Sequence, residues 1–229
     1  MLPSIQIRAY EGDNVPIYGT APNPIVFEET NRCQAASEVA GVPGALVIPQ
    51  LLTPAECQQF VTLTEAMGYG STAAISLGSG IRQNQTVTWL ADSSVASAIF
   101  RRAQPALPVE IEGQRPVGLN TRLRFYRYGD QCVFRPHVDG SWMGEEGHWS
   151  KMTFLLYLTS DFEGGATTFF LPAPGGRRDR PQRAVSVKPA SGSALLFMHG
   201  SHPLSPLHEG SMVTGDRYKY VLRTDLLCE

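Results

Sequence analysis

One short stretch of this sequence places two kinds of metal-binding side chain almost side by side. His137 and Asp139 are separated by a single valine. At the end of a β-strand, residues i and i+2 point to the same face, so the imidazole and the carboxylate would converge on one ion. An isolated His-x-Asp pair also occurs in ordinary surface turns. The pair therefore predicts two ligands of a metal site only if a third ligand and a suitable framework accompany it.

A third ligand has to come from elsewhere in the chain, and His199, His202 and His208 are available downstream. Two histidines and one carboxylate on one face of an octahedral ion leave three positions open. This facial triad is the arrangement of non-haem Fe(II) oxygenases, in which the open positions take a bidentate cosubstrate and O₂. The residue types alone leave the choice among the three histidines undecided.

Two helices are indicated in the first half of the chain. The first should begin at Thr53, which has Pro54 at the first helical position and Glu56 at the spacing of a capping box, and should end at Gly68. The second should start near Asp92 and run to about residue 102. The first helix has one apolar face, formed by Cys57, Phe60, Val61, Leu63 and Thr64.

Short strands separated by Gly, Pro and Asp dominate the rest of the chain. Residues 45–49 form an apolar run, and residues 71–89 have strand character. The other segments with the strand pattern are 123–128, 152–159, 166–171, 184–188, 194–198 and 218–227. Two helices followed by many short strands predict a β-sandwich or barrel with a helical cover.

Bulk properties exclude several classes of function. A net charge of -2 gives no general attraction for phosphates, so we expect no nucleic-acid partner. No apolar run reaches the roughly 20 residues that span a bilayer, and the N-terminus has no secretory pattern. The four cysteines are far apart and form no CxxC pair, which favours reduced structural thiols in a cytoplasmic protein.

Several motifs in the second half resemble those of prolyl-4-hydroxylase-like 2-oxoglutarate oxygenases. In chain order they are RFYRYG at 124–129, HVDG at 137–140, TFLLYL at 153–158, FEGGAT at 162–167, LHEG at 207–210 and KYVLRTD at 219–225. The resemblance is strong over residues 119–227 and weaker over 44–118. It implies a mainly β fold with flanking helices (α+β): a double-stranded β-helix, or cupin-like jelly roll, covered by N-terminal helices.

The resemblance also implies how the chain is organised. We expect a single domain over residues 1–229. It would consist of an irregular N-terminal arm (1–43), a helical cover with the first strands (44–118) and a jelly-roll catalytic core (119–229).

The resemblance assigns His208 as the third metal ligand beside His137 and Asp139. It implies Fe(II) and 2-oxoglutarate as cofactors, with O₂ as cosubstrate and ascorbate as an auxiliary reductant. Two cations compete to bind the remote carboxylate of 2-oxoglutarate: the KYVLRTD motif selects Lys219, whereas the count from His208 selects Arg217, and the motif favours Lys219. The hydroxyl groups expected to assist are those of Tyr128, Tyr157 and Thr153.

The implied reaction is hydroxylation of an unactivated C–H bond, with decarboxylation of 2-oxoglutarate to succinate and CO₂. The family acts on protein residues, amino acids and other small molecules, so the motifs leave the choice between a small-molecule and a peptidyl substrate open. Candidate substrate contacts are Arg82 and Asn84 in the early strand and Trp142 in the 140–150 loop, which would be either a lid or a plain connection. The sequence leaves the oligomeric state undetermined.

Three other interpretations remain open from the sequence. A nucleic-acid demethylase of the same fold is suggested by the spacing of Arg217 and Arg223, although the acidic balance opposes it. A cupin-like enzyme would use the same ligands with another metal and no 2-oxoglutarate. A binding module without catalysis would keep the barrel, but an intact triad with its flanking motifs opposes this interpretation.

Overall fold

A computed structural model describes residues 6–11, 15–19, 25–29, 34–70, 82–143, 147–173, 176 and 182–229. Two helices, α1 (Pro54–Met67) and α2 (Ser93–Ala103), occupy the first half of the chain. The strands are β1 (Gln6–Glu11), β2 (Val15–Gly19), β3 (Ser37–Glu38), β4 (Leu46–Ile48), β5 (Arg82–Gln83), β6 (Gln85–Leu90), β7 (Pro116–Leu119), β8 (Arg122–Tyr128), β9 (Val133–His137), β10 (Trp149–Tyr157), β11 (Glu163–Gly164), β12 (Thr167–Leu171), β13 (Arg183–Val187), β14 (Ala194–Met198), β15 (Leu207–Gly210), β16 (Val213–Thr214) and β17 (Lys219–Cys228).

Two sheets face each other and form a jelly roll. The larger runs β1-β2-β6-β8-β17-β10-β14-β4-β3, with β7 also paired to β17, and the smaller runs β13-β12-β15-β9-β5. From β8 to β17 the chain alternates between them: β8, β10, β14 and β17 lie in the larger sheet, and β9, β12, β13 and β15 in the smaller. This alternation is the double-stranded β-helix that the sequence motifs imply, and the prediction is confirmed.

Successive side chains of β17 point to opposite faces of the sheet, so this strand contributes to both the apolar core and the barrel interior. Tyr220 and Leu222 point outward into the apolar cluster beneath the helices. Lys219, Val221 and Arg223 point the other way, into the space between the sheets. Polar side chains therefore reach the interior of the barrel from a strand that is buried on both faces.

The first helix begins as predicted. The Thr53 side chain accepts a hydrogen bond from the Glu56 backbone N–H, the Glu56 carboxylate accepts one from the Thr53 N–H, and Pro54 occupies the first turn. Gly68 ends the helix with a φ of 84°, in a region that favours glycine. Asp92 caps α2 in the same manner, through the Ser94 N–H.

Both helices cover the outer face of the larger sheet. Phe60 and Leu63 of α1 and Ile99 of α2 are buried in one cluster with Phe125 and Leu222 of the sheet. A buried ion pair joins the helices, because Arg102 donates two hydrogen bonds of 2.7 Å to the fully buried Glu56 carboxylate. The helices thus hold the outside of the sheet whose inner face lines the barrel.

The N-terminal segment differs from the irregular arm expected over residues 1–43. β1 and β2 pair antiparallel, and β2 adds to β6 in parallel, so this segment extends the larger sheet. β3 likewise pairs with β4. These strands are short and lie at or near the sheet edges, where a weak apolar pattern suffices, and this explains why periodicity did not reveal them.

Other expectations can be compared only in part. Residues 71–81, within the segment with strand character, and the basic run at 177–180 lie outside the described residues. Cys57, Cys132 and Cys228 are free thiols, as expected of reduced cysteines. Among the described helices, none is long and apolar enough to cross a membrane.

Candidate active site

His137, Asp139 and His208 come together at one end of the barrel. His137 is the last residue of β9 and lies opposite His208 of β15 in the antiparallel register, while Asp139 follows two residues after β9 ends. One ligand atom from each of the three residues lies within 4.8 Å of the others. The pairing of β9 with β15, which are far apart in sequence, therefore brings the third candidate ligand, His208, next to the His-x-Asp pair.

Each imidazole is held with one nitrogen turned toward the cluster. His137 Nδ1 lies 2.8 Å from the Arg135 carbonyl oxygen, and His208 Nδ1 lies 3.2 Å from that of Pro206. A carbonyl only accepts, so each Nδ1 carries the proton and each Nε2 keeps its lone pair. The two Nε2 atoms lie 3.5 and 3.6 Å from the Asp139 carboxylate oxygens.

Burial keeps His208 neutral, since it lowers the pKa of His208 to about 4. Its contact with Asp139 is therefore not an ion pair at neutral pH. Burial opposes ionisation of Asp139 too, but the Arg223 guanidinium and the two histidines hold the pKa of Asp139 well below its usual range. At neutral pH the cluster thus offers a neutral His208 imidazole and the Asp139 carboxylate beside the His137 imidazole, a donor set that fits Fe(II).

The larger sheet holds the carboxylate in place. Thr153 of β10 donates a 2.7 Å hydrogen bond to Asp139 Oδ2, and Arg223 Nη1 of β17 lies 3.3 Å from Oδ1. The smaller sheet supplies both histidines. A metal bound here would therefore be tied to both walls of the barrel.

A cavity of about 410 Å³, counted with its open mouth, extends from this cluster into the barrel. It is lined by residues of both sheets: Tyr126, Tyr128, Phe134, His137, Asp139, Leu155, Tyr157, Thr167, His208, Glu209, Gly210, Lys219, Val221 and Arg223.

Lys219 is a buried cation in the wall of this cavity. Its Nζ donates a 2.7 Å hydrogen bond to the Gly165 carbonyl and lies 5.0 and 5.9 Å from the ring centres of Tyr128 and Tyr157. No carboxylate in the described part of the chain forms an ion pair with it. Burial accordingly lowers the pKa of Lys219 to about 7. A buried amine without a counter-ion is suited to bind an anionic group of a ligand.

Arg217, the competing candidate, lies elsewhere. It precedes β17, two thirds of its side chain is exposed, and its nearest acidic partner is Asp161 at 3.9 Å. Arg217 does not line the cavity, whereas Arg223 does. The Arg-x5-Arg pair considered for a nucleic-acid demethylase is therefore not assembled at this site.

The three hydroxyl groups expected to help bind the remote carboxylate lie in two different places. Tyr128 and Tyr157 line the cavity beside Lys219, and the Tyr157 hydroxyl forms a 2.7 Å hydrogen bond with Thr167. Burial raises the pKa of Tyr157, so this hydroxyl stays protonated. Thr153 is not among the lining residues. Its hydroxyl is committed to Asp139, so the structure places it beside the proposed metal ligand, away from Lys219.

The turn that faces Lys219 requires glycine. Gly165 has a φ of 62°, and a Cβ at this position would lie 2.7 Å from the Phe162 ring and 3.2 Å from Lys219 Cδ. The Gly-Gly motif between β11 and β12 thus provides both the carbonyl that receives the Lys219 hydrogen bond and the room for its side chain.

The other histidines lie outside the metal-binding cluster. His199 is buried at the end of β14, and its Nδ1 lies 3.1 Å from the Thr153 hydroxyl. Since Thr153 gives its only proton to Asp139, His199 Nδ1 is the donor in this contact. His202 is half-buried with Nε2 3.2 Å from Glu112, and His148 lies 3.7 Å from Glu229.

Of the three candidate substrate residues, Asn84 and Trp142 are not among the described residues that line the cavity. The backbone of Arg82, in β5, pairs with Phe134 of β9, and the Arg82 side chain lies outside the described part of the structure. Asn84 is buried and its amide nitrogen lies 3.4 Å from the Gln85 carbonyl. Trp142 is 42% exposed, as is Trp149 at 45%, and the two belong to a loop closed by a bridge between Met143 and Trp149.

Sequence patterns gave no role to two polar residues that prove central. Thr167 lines the cavity and pairs with Tyr157, and Asp225 lies beneath Arg223, with Oδ1 3.7 Å from Nη2. Both lie on buried strands, Thr167 at the start of β12 and Asp225 within β17. A polar residue on the inner face of a buried strand is the signal that would have found them.

A jelly roll that carries two histidines and a carboxylate at its mouth, above a buried lysine and two tyrosines, defines the class of 2-oxoglutarate-dependent Fe(II) oxygenases. Comparison with known proteins agrees. Residues 123–224 match the model of the 2OG-Fe(II) oxygenase superfamily, and the similar proteins support a prolyl-4-hydroxylase-like 2-oxoglutarate oxygenase. It is a 2-oxoglutarate-dependent dioxygenase whose cofactors are iron and 2-oxoglutarate.

The chain is 25% identical to prolyl 4-hydroxylase 1 of Arabidopsis thaliana over 200 residues, which cover 79% of this chain and 68% of that protein. Its fold is similar to that of a prolyl hydroxylase from Trichoplax adhaerens in complex with a hypoxia inducible factor peptide (TM-score 0.57, 16% identity, 80% of this chain and 83% of that one). It is similar to the same degree to SnoK, an alpha-ketoglutarate-dependent carbocyclase of nogalamycin biosynthesis (TM-score 0.57, 16% identity, 82% and 81%).

Proposed function

We propose that this enzyme hydroxylates an unactivated C–H bond of a peptidyl or small-molecule substrate, with His137, Asp139 and His208 as the iron ligands. The observation that carries the proposal is the convergence of these three ligand atoms within 4.8 Å, with both imidazoles fixed in the ligating tautomer. Bound iron, 2-oxoglutarate and O₂ supply the oxidising chemistry, and succinate and CO₂ are released.

The residues around the cluster prepare it for the metal. Each Nδ1–H to carbonyl hydrogen bond orients an imidazole and directs its lone pair toward Asp139. Thr153 and Arg223 hold the carboxylate from the opposite sheet. Together these contacts direct the three ligand groups toward one point.

Lys219 is the proposed anchor for the remote carboxylate of 2-oxoglutarate. It is the buried cation of the cavity wall, and the Tyr128 and Tyr157 rings shield it from solvent. We assign the Thr167 and Tyr157 hydroxyl groups as further donors, since they line the same part of the cavity. A dianionic cosubstrate would restore the charge balance that burial of Lys219 disturbs.

The substrate class remains a choice between a peptide and a small molecule. Relatives of both kinds share the fold, since one is bound to a peptide and another is a carbocyclase. The exposed Trp142, Met143 and Trp149 offer an apolar surface on the loop that follows Asp139. We propose that this surface meets the substrate at the mouth and that residues 1–229 act as one catalytic domain.

The test is an anaerobic titration with Fe(II) and 2-oxoglutarate, followed through the weak visible charge-transfer band of the chelate. Wild type should develop the band, and Asp139→Ala, His137→Ala and His208→Ala should lose it while retaining the circular dichroism of the fold. His202→Ala is the matched control, because His202 is a histidine of the same region outside the cluster. Loss of iron in His202→Ala with retention in His208→Ala would contradict the ligand set.

One other result would redirect the proposal. Wild type that binds iron without the band would favour a cupin-like enzyme that does not use 2-oxoglutarate. If the band forms, release of succinate can be used to screen peptides and small molecules for the substrate.

A further inference from the structure

Two buried cations lie on the same face of one strand in the cavity wall. Lys219 and Arg223 are four residues apart on β17, about 13 Å along the strand, and both line the cavity. Val221 lies between them on that face, and its neighbours on the adjacent strands are Tyr126 and Tyr157. Along β17 the cavity wall therefore presents a cation, an apolar band and a second cation. This arrangement is complementary to a dicarboxylate, in which a hydrocarbon segment joins two anionic ends.

The guanidinium of Arg223 has the Asp139 and Asp225 carboxylates and the Tyr126 side chain as partners, and its contacts with the two carboxylates are loose. Nη1 lies 3.3 Å from Asp139 and Nη2 lies 3.7 Å from Asp225, whereas a tight charge-assisted hydrogen bond is about 2.8 Å long. Nε is buried without an acceptor among the described residues. Arg102 shows the contrast within the same molecule, because it forms two bonds of 2.7 Å with Glu56.

We infer that Arg223 is a cosubstrate-binding residue whose guanidinium contacts the carboxylate at the 2-oxo-acid end of 2-oxoglutarate, while Lys219 binds the other carboxylate. The inference rests on the metal site proposed above. A 2-oxo acid chelates the ion through its C1 carboxylate and keto oxygen, and this brings that carboxylate next to Asp139. Arg223 is the cation already in contact with Asp139, so it lies beside the chelating end, and Lys219 is left for the remote end.

Arg223 and Lys219 would thus recognise different ends of 2-oxoglutarate, and a ligand that has only one of these ends distinguishes their roles. 2-Oxobutyrate keeps the 2-oxo-acid end of 2-oxoglutarate and lacks the remote carboxylate. Arg223→Met should therefore weaken binding of both compounds, and Lys219→Met should weaken binding of 2-oxoglutarate alone. Loss of a hydrogen bond to a charged group corresponds to about 10- to 100-fold in affinity.

The experiment measures dissociation constants anaerobically for Fe(II), by competition with a chelator, and for 2-oxoglutarate and 2-oxobutyrate on the Fe(II) protein, through the charge-transfer band. Arg124→Met is the matched control. Arg124 is the register partner of Arg223 on β8 and approaches Asp225 at 3.8 Å, but it does not line the cavity. Its loss should change the affinity for either oxo acid by less than about threefold.

The result that supports the inference is a loss of affinity for both oxo acids in Arg223→Met that exceeds any loss of Fe(II) affinity. An equal loss of Fe(II) affinity would show that Arg223 acts only by holding Asp139. An unchanged affinity for 2-oxobutyrate would overturn the assignment to the 2-oxo-acid end, and so would an equal effect of Arg124→Met.

Arg223→Lys keeps the inference testable if Arg223→Met does not fold. It retains the positive charge but loses the fork that can contact Asp139 and a second carboxylate together, so 2-oxoglutarate affinity should still fall at least about fivefold. Full retention would contradict the inference. Failure of the wild-type protein to form the Fe(II) complex with 2-oxoglutarate would instead overturn the proposed function, and the inference with it.

Discussion

At the scale of single residues, burial distinguishes Lys219 from Arg217, which the sequence left as alternatives for binding the remote carboxylate of 2-oxoglutarate. Arg217 and Lys219 are two positions apart, so both would share one face of an extended strand. In the structure β17 begins at Lys219, opposite Tyr128, and Arg217 falls in the exposed turn before it. Lys219 is 3% exposed and has no counter-ion among the described residues. Its protonation should therefore be coupled to cosubstrate binding.

Because burial lowers the pKa of Lys219 from 10.5 to about 7, the free enzyme holds this amine neutral above pH 7. If bound 2-oxoglutarate requires the ammonium form, binding takes up a proton, and affinity should fall about tenfold per pH unit above pH 7. Titrations from pH 6 to 9 measure this slope. Lys219→Arg stays protonated and should bind with a much flatter profile, and an equal slope in both proteins would exclude Lys219 as the titrating anchor.

The same shift has an opposite consequence for the unliganded fold. The unfolded chain binds the Lys219 proton up to about pH 10.5, whereas the folded chain binds it only below about pH 7. This group therefore favours folding above pH 10.5, and its contribution is lost as the pH falls toward 7.

At the scale of elements, the helical cover depends on one buried ion pair. Glu56 is fully buried, accepts the backbone N–H groups of Glu28 and Thr53, and receives two hydrogen bonds from Arg102. Burial opposes its ionisation, yet Arg102 and the backbone donors lower the pKa of Glu56. A single carboxylate thus joins α1, α2 and the segment at residue 28.

Arg102→Met should destabilise the fold by about 3–5 kcal/mol, because it leaves the Glu56 charge buried without its partner. Chemical denaturation at neutral pH measures the change. Thr53→Ala is the control within the same cap and should cost about 1 kcal/mol. Combining Arg102→Met with Glu56→Gln should recover part of the loss, and a double variant weaker than Arg102→Met alone would show that the ion pair is not the cause.

At the scale of the whole molecule, the proposed metal links two sheets that are otherwise joined by packing and by the chain itself. The smaller sheet contributes His137 and His208, and the larger sheet holds Asp139 through Thr153 and Arg223. A ligand that binds only the folded state stabilises it in proportion to its affinity. Metal binding should therefore raise the thermal stability of the entire barrel.

A divalent metal at 100 times its dissociation constant should add about 2.7 kcal/mol, which raises the melting temperature by roughly 5–10 °C for a chain of this size. Anaerobic melting curves with Fe(II), or with Mn(II) as a redox-stable substitute, measure the shift. His202→Ala should show the full shift and His208→Ala none. A shift of equal size in His208→Ala would mean that the stabilising ion binds elsewhere.

Local signals in the chain predicted the elements most directly. The starts of both helices were predicted from their caps, Thr53 with Glu56 in α1 and Asp92 in α2. A cap is a hydrogen bond between residues close in sequence, so the sequence shows it directly. The bounds of β8, β10, β12, β13, β14 and β17 were predicted to within a few residues, whereas β9 and β15, which carry His137 and His208, were not predicted as strands. The strands β1 and β2 were not found, because they are stabilised by pairing of β2 with β6 and of β1 with β2, and the sequence does not show pairing partners.

From the sequence by itself, alternating strands predicted a β-sandwich or barrel with a helical cover, and the resemblance of the ordered motifs to those of prolyl-4-hydroxylase-like oxygenases implied the jelly roll and the cofactors. Only the tertiary structure decided which side chains share a space. It set His208 opposite His137, drew Thr153 to Asp139, buried Lys219 while exposing Arg217, and turned Arg223 toward the cavity. The physical reason is that register between distant strands fixes which inward-facing side chains meet, and burial then sets their charges.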